Sequence, residues 1–155
     1  MTQTIDTRLA ELGITLPTPA APVASYVPAV EAHGMLHISG QISFAEDGSL
    51  IKGRLGEDVD LDAGIAAARR CGIMLLAQIK AALGSLDRVE RIVKLGVFVN
   101  SAGSFTDQPK VANGASELMN DVFGEAGRHA RSAVGVAVLP LGVAVEVDAI
   151  VAIRP

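Results

Sequence analysis

ARSAVGVAVLPLGVAVEVDAIVAI, residues 130–153, is the most informative run in the chain. Apolar residues alternate with small or polar ones on both sides of Leu139-Pro140-Leu141-Gly142, the period-two signature of β-strands. Strands are expected over Ser132 to Val138 and Val143 to Ile153. The four-residue link is too short for anything but an antiparallel return, which predicts a hairpin. Pairing Val138 with Val143 sets Gly135 opposite Glu146, Ala133 opposite Asp148 and Arg131 opposite Ile150, all on one face.

That face carries chemistry. Ala133 and Gly135 are small, leaving room in front of the two acids, and space beside a carboxylate suits a small ligand. Arg131 lies about 13 Å along the strand from the position opposite Glu146, at 3.3 to 3.4 Å per residue. The two side chains therefore need a ligand or a neighbouring chain to bridge them. An arginine at a strand end can hold a planar carboxylate with two parallel N–H bonds. It can equally form a structural ion pair with Asp148 or Glu125. Glu146 can orient or deprotonate a water, or instead bond across a subunit interface or face solvent.

Working towards the N-terminus, Lys110 to Phe123 is expected to be a helix with Gly124 and Gly127 as stops. Glu90 to Asn100 contains the β-branched run IVKLGVFV of a central strand, ended by Ser101 to Ser104. Asp60 caps a long helix whose Ile65, Ala68, Gly72, Leu75, Ile79 and Leu83 recur at three- and four-residue steps until Gly84. Arg69, Arg70, Gln78 and Lys80 fall outside that stripe, as on a solvated face. Residues 42–57 form a polar, Gly-rich loop with a tight turn at Asp47-Gly48. Ser25 to Glu31 and Met35 to Ser39 read as a hairpin turning at Ala32-His33-Gly34. Ahead of it, Thr4 or Asp6 caps a short helix stopped by Gly13, and Pro17, Pro19 and Pro22 force an extended arm.

The order is ββαβαββ behind an N-terminal appendage over residues 1–22, with one domain over 23–155. A single mixed sheet with two helices on one face is the natural packing, an α+β fold. Val134, Val136 and Val138, with Val143, Val145 and Val147, would leave the other face apolar and exposed, which predicts an oligomer.

Composition narrows the function classes. Of 155 residues half are hydrophobic, but with four Phe, one Tyr and no Trp the core is aliphatic and base-stacking platforms are scarce. A net charge of -4 repels a phosphate backbone, so nucleic acid is a poor fit. The polar start MTQTIDTRLAEL has neither signal- nor transit-peptide character, and no apolar run spans a bilayer, so a soluble, cytoplasmic protein is expected. Cys71, the single cysteine, reads as an inert core thiol. His33 and His37 read as structural. His129 stays open, because Arg128-His129-Ala130-Arg131 places three potential cations together and would strengthen anion binding.

SYVPAV (25–30), ISGQIS (38–43), VKLGVFV (93–99), ARSAVGVAVLP (130–140) and VEVDAIVA (145–152) together resemble the RidA/YjgF family, from about residue 23 to the C-terminus. The resemblance implies a chorismate-mutase-like α+β fold and homotrimers with ligand sites in the clefts between subunits. It also implies hydrolysis of reactive 2-imino or 2-enamino acids to 2-oxo acids and ammonia, with no metal or cofactor. Arg131 would hold the substrate carboxylate and Glu146 would position water. Tyr26 stands at the family's cleft tyrosine, Gly40 at a loop glycine whose backbone approaches the ligand, and Asn113 at a helix asparagine. Ala133 takes the place of a cysteine found in many members. The chain departs from the pattern in its N-terminal arm, its 42–57 loop and Gly135, where an acid is frequent. Two other functions fit the same residues: a trimeric carboxylate-binding or regulatory module that needs Arg131 but not Glu146, and an endoribonuclease using His129 and Arg131. The imine chemistry is coherent, since an electrophilic carbon mainly needs orientation and one activated water.

Overall fold

The computed structural model describes residues 3–19, 21, 22 and 24–155, so the expected boundary at residue 23 lies outside the described residues. Helix α1 spans Ile5–Glu11, capped by the Thr4 side chain, which accepts from Thr7 N. Strands β1 (Ala29–Ala32) and β2 (Met35–Ile42) follow. Helix α2 (Leu61–Leu83), strand β3 (Val89–Asn100), helix α3 (Gln108–Phe123), and strands β4 (Ala130–Val136) and β5 (Val145–Ile153) complete the order.

The ββαβαββ order holds, and each start and stop has its local cause. Asp60 accepts from Ala63 N at 2.8 Å to open α2, and Gly84, left-handed at φ 82°, closes it. His33 and Gly34, at φ 53° and 75°, make the two-residue turn between β1 and β2, whose backbone twist suits a tight hairpin. The β1 boundary differs from expectation: it starts at Ala29, because Pro28 interrupts the run and supplies only its carbonyl, which accepts from Ser39 N at 2.9 Å. Strand β2 continues through Gly40 to Ile42, with an irregularity between Ile38 and Gln41.

The sheet order is β1-β2-β5-β3-β4, which corrects the expected terminal hairpin. β4 pairs in parallel with β3, while β5 sits between β2 and β3 and is antiparallel to both. The return from β4 to β5 does reverse direction, but it passes over β3. The reason is burial: Val145, Val147, Ala149, Val151 and Ile153 are all buried, and a strand with such a face gains most at the sheet centre with both edges paired. The connection runs through residues 137–144, long enough to step across two strand spacings of about 4.8 Å each. Asn100 fixes it, donating from Nδ2 to Val143 O at 3.1 Å. Arg54 from the 42–57 loop bonds Asn100 Oδ1 at 3.2 Å and Ala137 O at 2.7 Å.

Helices α2 and α3 pack against each other and cover one sheet face. At Gly114 a Cβ would run into the backbone of Ile65, so this glycine sets how closely α3 approaches α2. Helix α1, read from sequence as an appendage, contributes buried Leu9 to the common core, and its Asp6 pairs with Lys80 at 3.0 Å. Two further surface assignments change. Gln78 is buried at 4 % exposure, and Arg70 donates to Phe44 O at 3.0 Å. The open sheet face also has a different make-up: Val145 and Val147 point to the helices and Val143 is buried ahead of β5, while Glu146 and Asp148 point away from the helices. Val30 and Val134 remain exposed on the open side, at 51 % and 45 %. No described helix is long and apolar enough to cross a membrane.

Candidate functional site

Arg131 lies on edge strand β4, opposite Leu95 of β3, so its side chain points to the helix-covered side and reaches α3. Its Nη1 donates to Asn113 Oδ1 at 2.8 Å and to Ser116 Oγ at 3.1 Å, and its Nη2 to Pro109 O at 3.3 Å. Asn113 and Ser116 stand three residues apart and so share a helix face. All three acceptors are neutral. The expected ion-pair alternatives are not formed: Glu125 pairs with Arg128 at 3.8 Å, and Asp148 lies on the opposite sheet face. The guanidinium carries five donors and makes three of these bonds, so it keeps capacity for an anion.

Behind Ser116 stands His129. Its Nδ1 lies 2.6 Å from Gly127 O, which can only accept, so the ring proton sits on Nδ1. In the neutral ring its Nε2 therefore accepts the Ser116 hydroxyl proton across 2.8 Å. Burial holds the imidazole below its ordinary pKa of 6.5, and the Arg131 charge adds to that, against the Gly127 bond. A cavity of about 220 Å³ opens on Ser116, Asn120, Arg128, His129 and Arg131.

Glu146 belongs to a second concavity, of about 380 Å³, shared with Tyr26, Gly40, Gln41, Gln78 and Leu141. It lies opposite Phe98 on β3 and Ile42 on β2. Gly40 makes room for it: a Cβ there would stand 2.7 Å from Glu146 Oε1. At Gly96 a Cβ would collide with Asp148 Oδ1. The glycines that leave room for the acids are thus Gly40, beside Glu146, and Gly96, opposite Asp148, in place of the Ala133 and Gly135 that the hairpin register selects. Burial raises the carboxyl pKa of Glu146, with the neighbouring Asp148 charge a smaller cause. Asp148 is also raised by burial, partly offset by the Gly96 backbone and Lys94.

The sequence-predicted residues therefore fall into two groups. Arg131 and Asn113 touch, and Ala133 lies two residues on along the same face, opposite Val97. Tyr26, Gly40 and Glu146 surround the other cavity. The expectation that Arg131 and Glu146 share a face is corrected: Arg131 is level with Leu95 and Ala149, Glu146 with Phe98, and these alternate across the sheet. Ser116 and the Gln41–Gln78 pair were not anticipated. The three-residue step from Asn113 was the available signal for Ser116. Gln78 bonds Gln41 Oε1 at 3.3 Å, and Gln41 bonds Ser39 O at 2.9 Å. Among the described residues no cluster of three His, Cys, Asp or Glu could hold a metal ion.

Residues 6–151 match the model of the YjgF/chorismate mutase-like, putative endoribonuclease family. Protein TCP17 of Trypanosoma cruzi is 56% identical over 144 residues, covering 92% of this chain and 90% of that protein. A putative endoribonuclease from Shewanella oneidensis superposes with a TM-score of 0.94 at 34% identity, over 97% of this chain and 100% of its own. RidA from an Antarctic Psychrobacter species aligns with a TM-score of 0.62 at 30% identity, over 88% and 94%.

Proposed function

The chain belongs to the YjgF/chorismate mutase-like, putative endoribonuclease family, and from that premise we propose that it is a hydrolytic deaminase of small 2-imino or 2-enamino acids. The observation that carries this reading is the Arg131 guanidinium: it opens on a cavity, is gripped by three neutral oxygens, and pairs with no acid among the described residues. Such a cation suits a substrate carboxylate, which it would hold in a fixed plane. The match to RidA in backbone and identity supports the same class of chemistry.

Water adds to the imine carbon, and Glu146 takes its proton and returns it to the nitrogen. The resulting carbinolamine loses ammonia to leave the 2-oxo acid. Glu146 is fitted to both transfers, since it accepts no hydrogen bond from a described residue and burial raises its pKa, which favours taking up a proton. Tyr26 and Gly40 would flank the reacting atoms. The chemistry requires no metal or cofactor.

Arg131 and Glu146 open on different faces of one chain, so a complete site takes Arg131 from one copy and Glu146 from the next. This favours the homotrimer with inter-subunit clefts, and the exposed Val30 and Val134 would be covered by it. In the test, 2-aminoacrylate is generated in situ by a lyase and its disappearance followed. The parent protein should accelerate loss, and Arg131→Ala should reduce the rate by about two orders of magnitude. Glu146→Gln should keep binding but lose turnover. Equal rates with and without protein remove the deaminase claim, and Arg131-dependent binding without turnover favours the regulatory module. Cleavage of an RNA oligonucleotide that depends on His129 would instead support the endoribonuclease reading.

A further inference from the structure

The hydrogen-bond chain behind Arg131 has a direction. Gly127 O accepts from His129 Nδ1, so with a neutral ring the Ser116 hydroxyl must give its proton to Nε2. Ser116 Oγ then shows only lone pairs to Arg131 Nη1, 3.1 Å away. The serine proton points at the histidine and is withheld from the cavity that Ser116, His129 and Arg131 all line.

We propose that His129, acting through Ser116, is a positioning residue that gates carboxylate binding at Arg131 by its protonation. This rests on the carboxylate-anchor reading above. When His129 takes up a proton from solvent, Nε2 becomes a donor and Ser116 Oγ accepts from both Nε2 and Arg131 Nη1. The hydroxyl proton is displaced from the His129 side, and the free direction is the cavity. There it becomes an additional donor to a bound carboxylate, beside a second positive charge.

The charged groups around the ring fit this role. From β4, Arg131 presses on the imidazole and disfavours its cation. Arg128 lines the same cavity and is drawn to Glu125 of the turn at 3.8 Å. Arg91 of β3 is turned to the carbonyls of Glu125 and Arg128, at 3.1 Å each from Nη2. Helix α3 offers the cavity only neutral Ser116 and Asn120. Cations thus dominate around an unliganded ring, and a carboxylate on Arg131 would offset them. Proton and carboxylate then favour one another's binding, by equal factors in both directions.

The test is calorimetric titration of the full-length protein with 2-oxobutanoate, a stable product analogue, from pH 8 to pH 5. The parent should bind about tenfold more tightly at the acid end. His129→Gln and Ser116→Ala should each flatten that slope. In the parent protein, the His129 ring signals in NMR should titrate at higher pH with 2-oxobutanoate than without, a readout that needs no variant to fold. An unchanged slope in His129→Gln together with an unmoved ring titration overturns the gate and leaves the Arg131 anchor standing. Binding that is absent, or indifferent to Arg131→Ala, overturns both.

Discussion

Replacing Asn100 by alanine should loosen the crossover that carries β4 past β3 to β5. Asn100 is 4 % exposed and bonds two segments at once, giving its amide proton to Val143 O and accepting from Arg54 Nε. Without it, the Val143 carbonyl is left buried without its side-chain donor, a penalty of about 1–3 kcal/mol. Arg54 loses one charge-assisted bond but keeps Ala137 O and partial exposure, which limits that loss to about 1 kcal/mol. The sum is about 2–4 kcal/mol, or roughly 5–15 °C in Tm for a chain of this size. Urea melts and calorimetry of the parent, Asn100→Ala and Asn100→Leu give the answer. Leucine restores most of the lost volume but no hydrogen bond, so it should recover less than about 1 kcal/mol over alanine. If Asn100→Leu matches the parent, packing holds the crossover and the hydrogen-bond argument is wrong.

Three other outcomes follow from the same geometry. Because burial and Asp148 raise the Glu146 pKa, its carboxyl favours the protonated form in the fold, and its contribution declines as pH rises from the ordinary carboxyl value to the raised one. Glu146→Gln should therefore melt higher than the parent at pH 7.5 and lose that advantage near pH 3.5; equal differences at both pH values would refute this. Gly40→Ala pushes a methyl against the movable end of Glu146, so stability should change by less than about 1 kcal/mol while imine hydrolysis falls at least about tenfold; normal turnover in this variant would remove Glu146 from the mechanism. Cys71 is buried, donates to Val145 O at 3.4 Å, and its thiol pKa is raised by burial and by the Glu146 charge. It should stay unmodified by a thiol-reactive disulfide reagent in the native protein and react at once in urea.

Local signals in the chain were strong. Asp60, Gly84 and the three- and four-residue apolar steps were sufficient for α2, because caps and periodicity act within a few residues. The His33-Gly34 turn was legible for the same reason. The family motifs pointed to Arg131, Asn113, Tyr26, Gly40 and Glu146 as site residues, and the fold places Arg131 on Asn113 and gathers Tyr26, Gly40 and Glu146 around one cavity. Gln78 falls outside the apolar stripe of α2 yet is buried, because it packs on the neighbouring β2 segment at Gln41, which the periodicity of α2 alone does not contain.

By itself the sequence determined which residues alternate along each strand, where the helices stop, and that Arg131 and Glu146 belong to the most chemically loaded stretch. Which strands pair was decided only in the tertiary structure. Alternation has a period of two and carries no label for its partner, so a hairpin and a crossover read alike. With β3 inserted, Arg131 becomes level with Leu95 and Ala149 rather than Ile150, a shift of one residue that turns it to the other face from Glu146. What decided the insertion was the burial of the whole Val145-to-Ile153 face at the centre of the sheet, a gain that exists only once β2, β3 and both long helices are assembled around it.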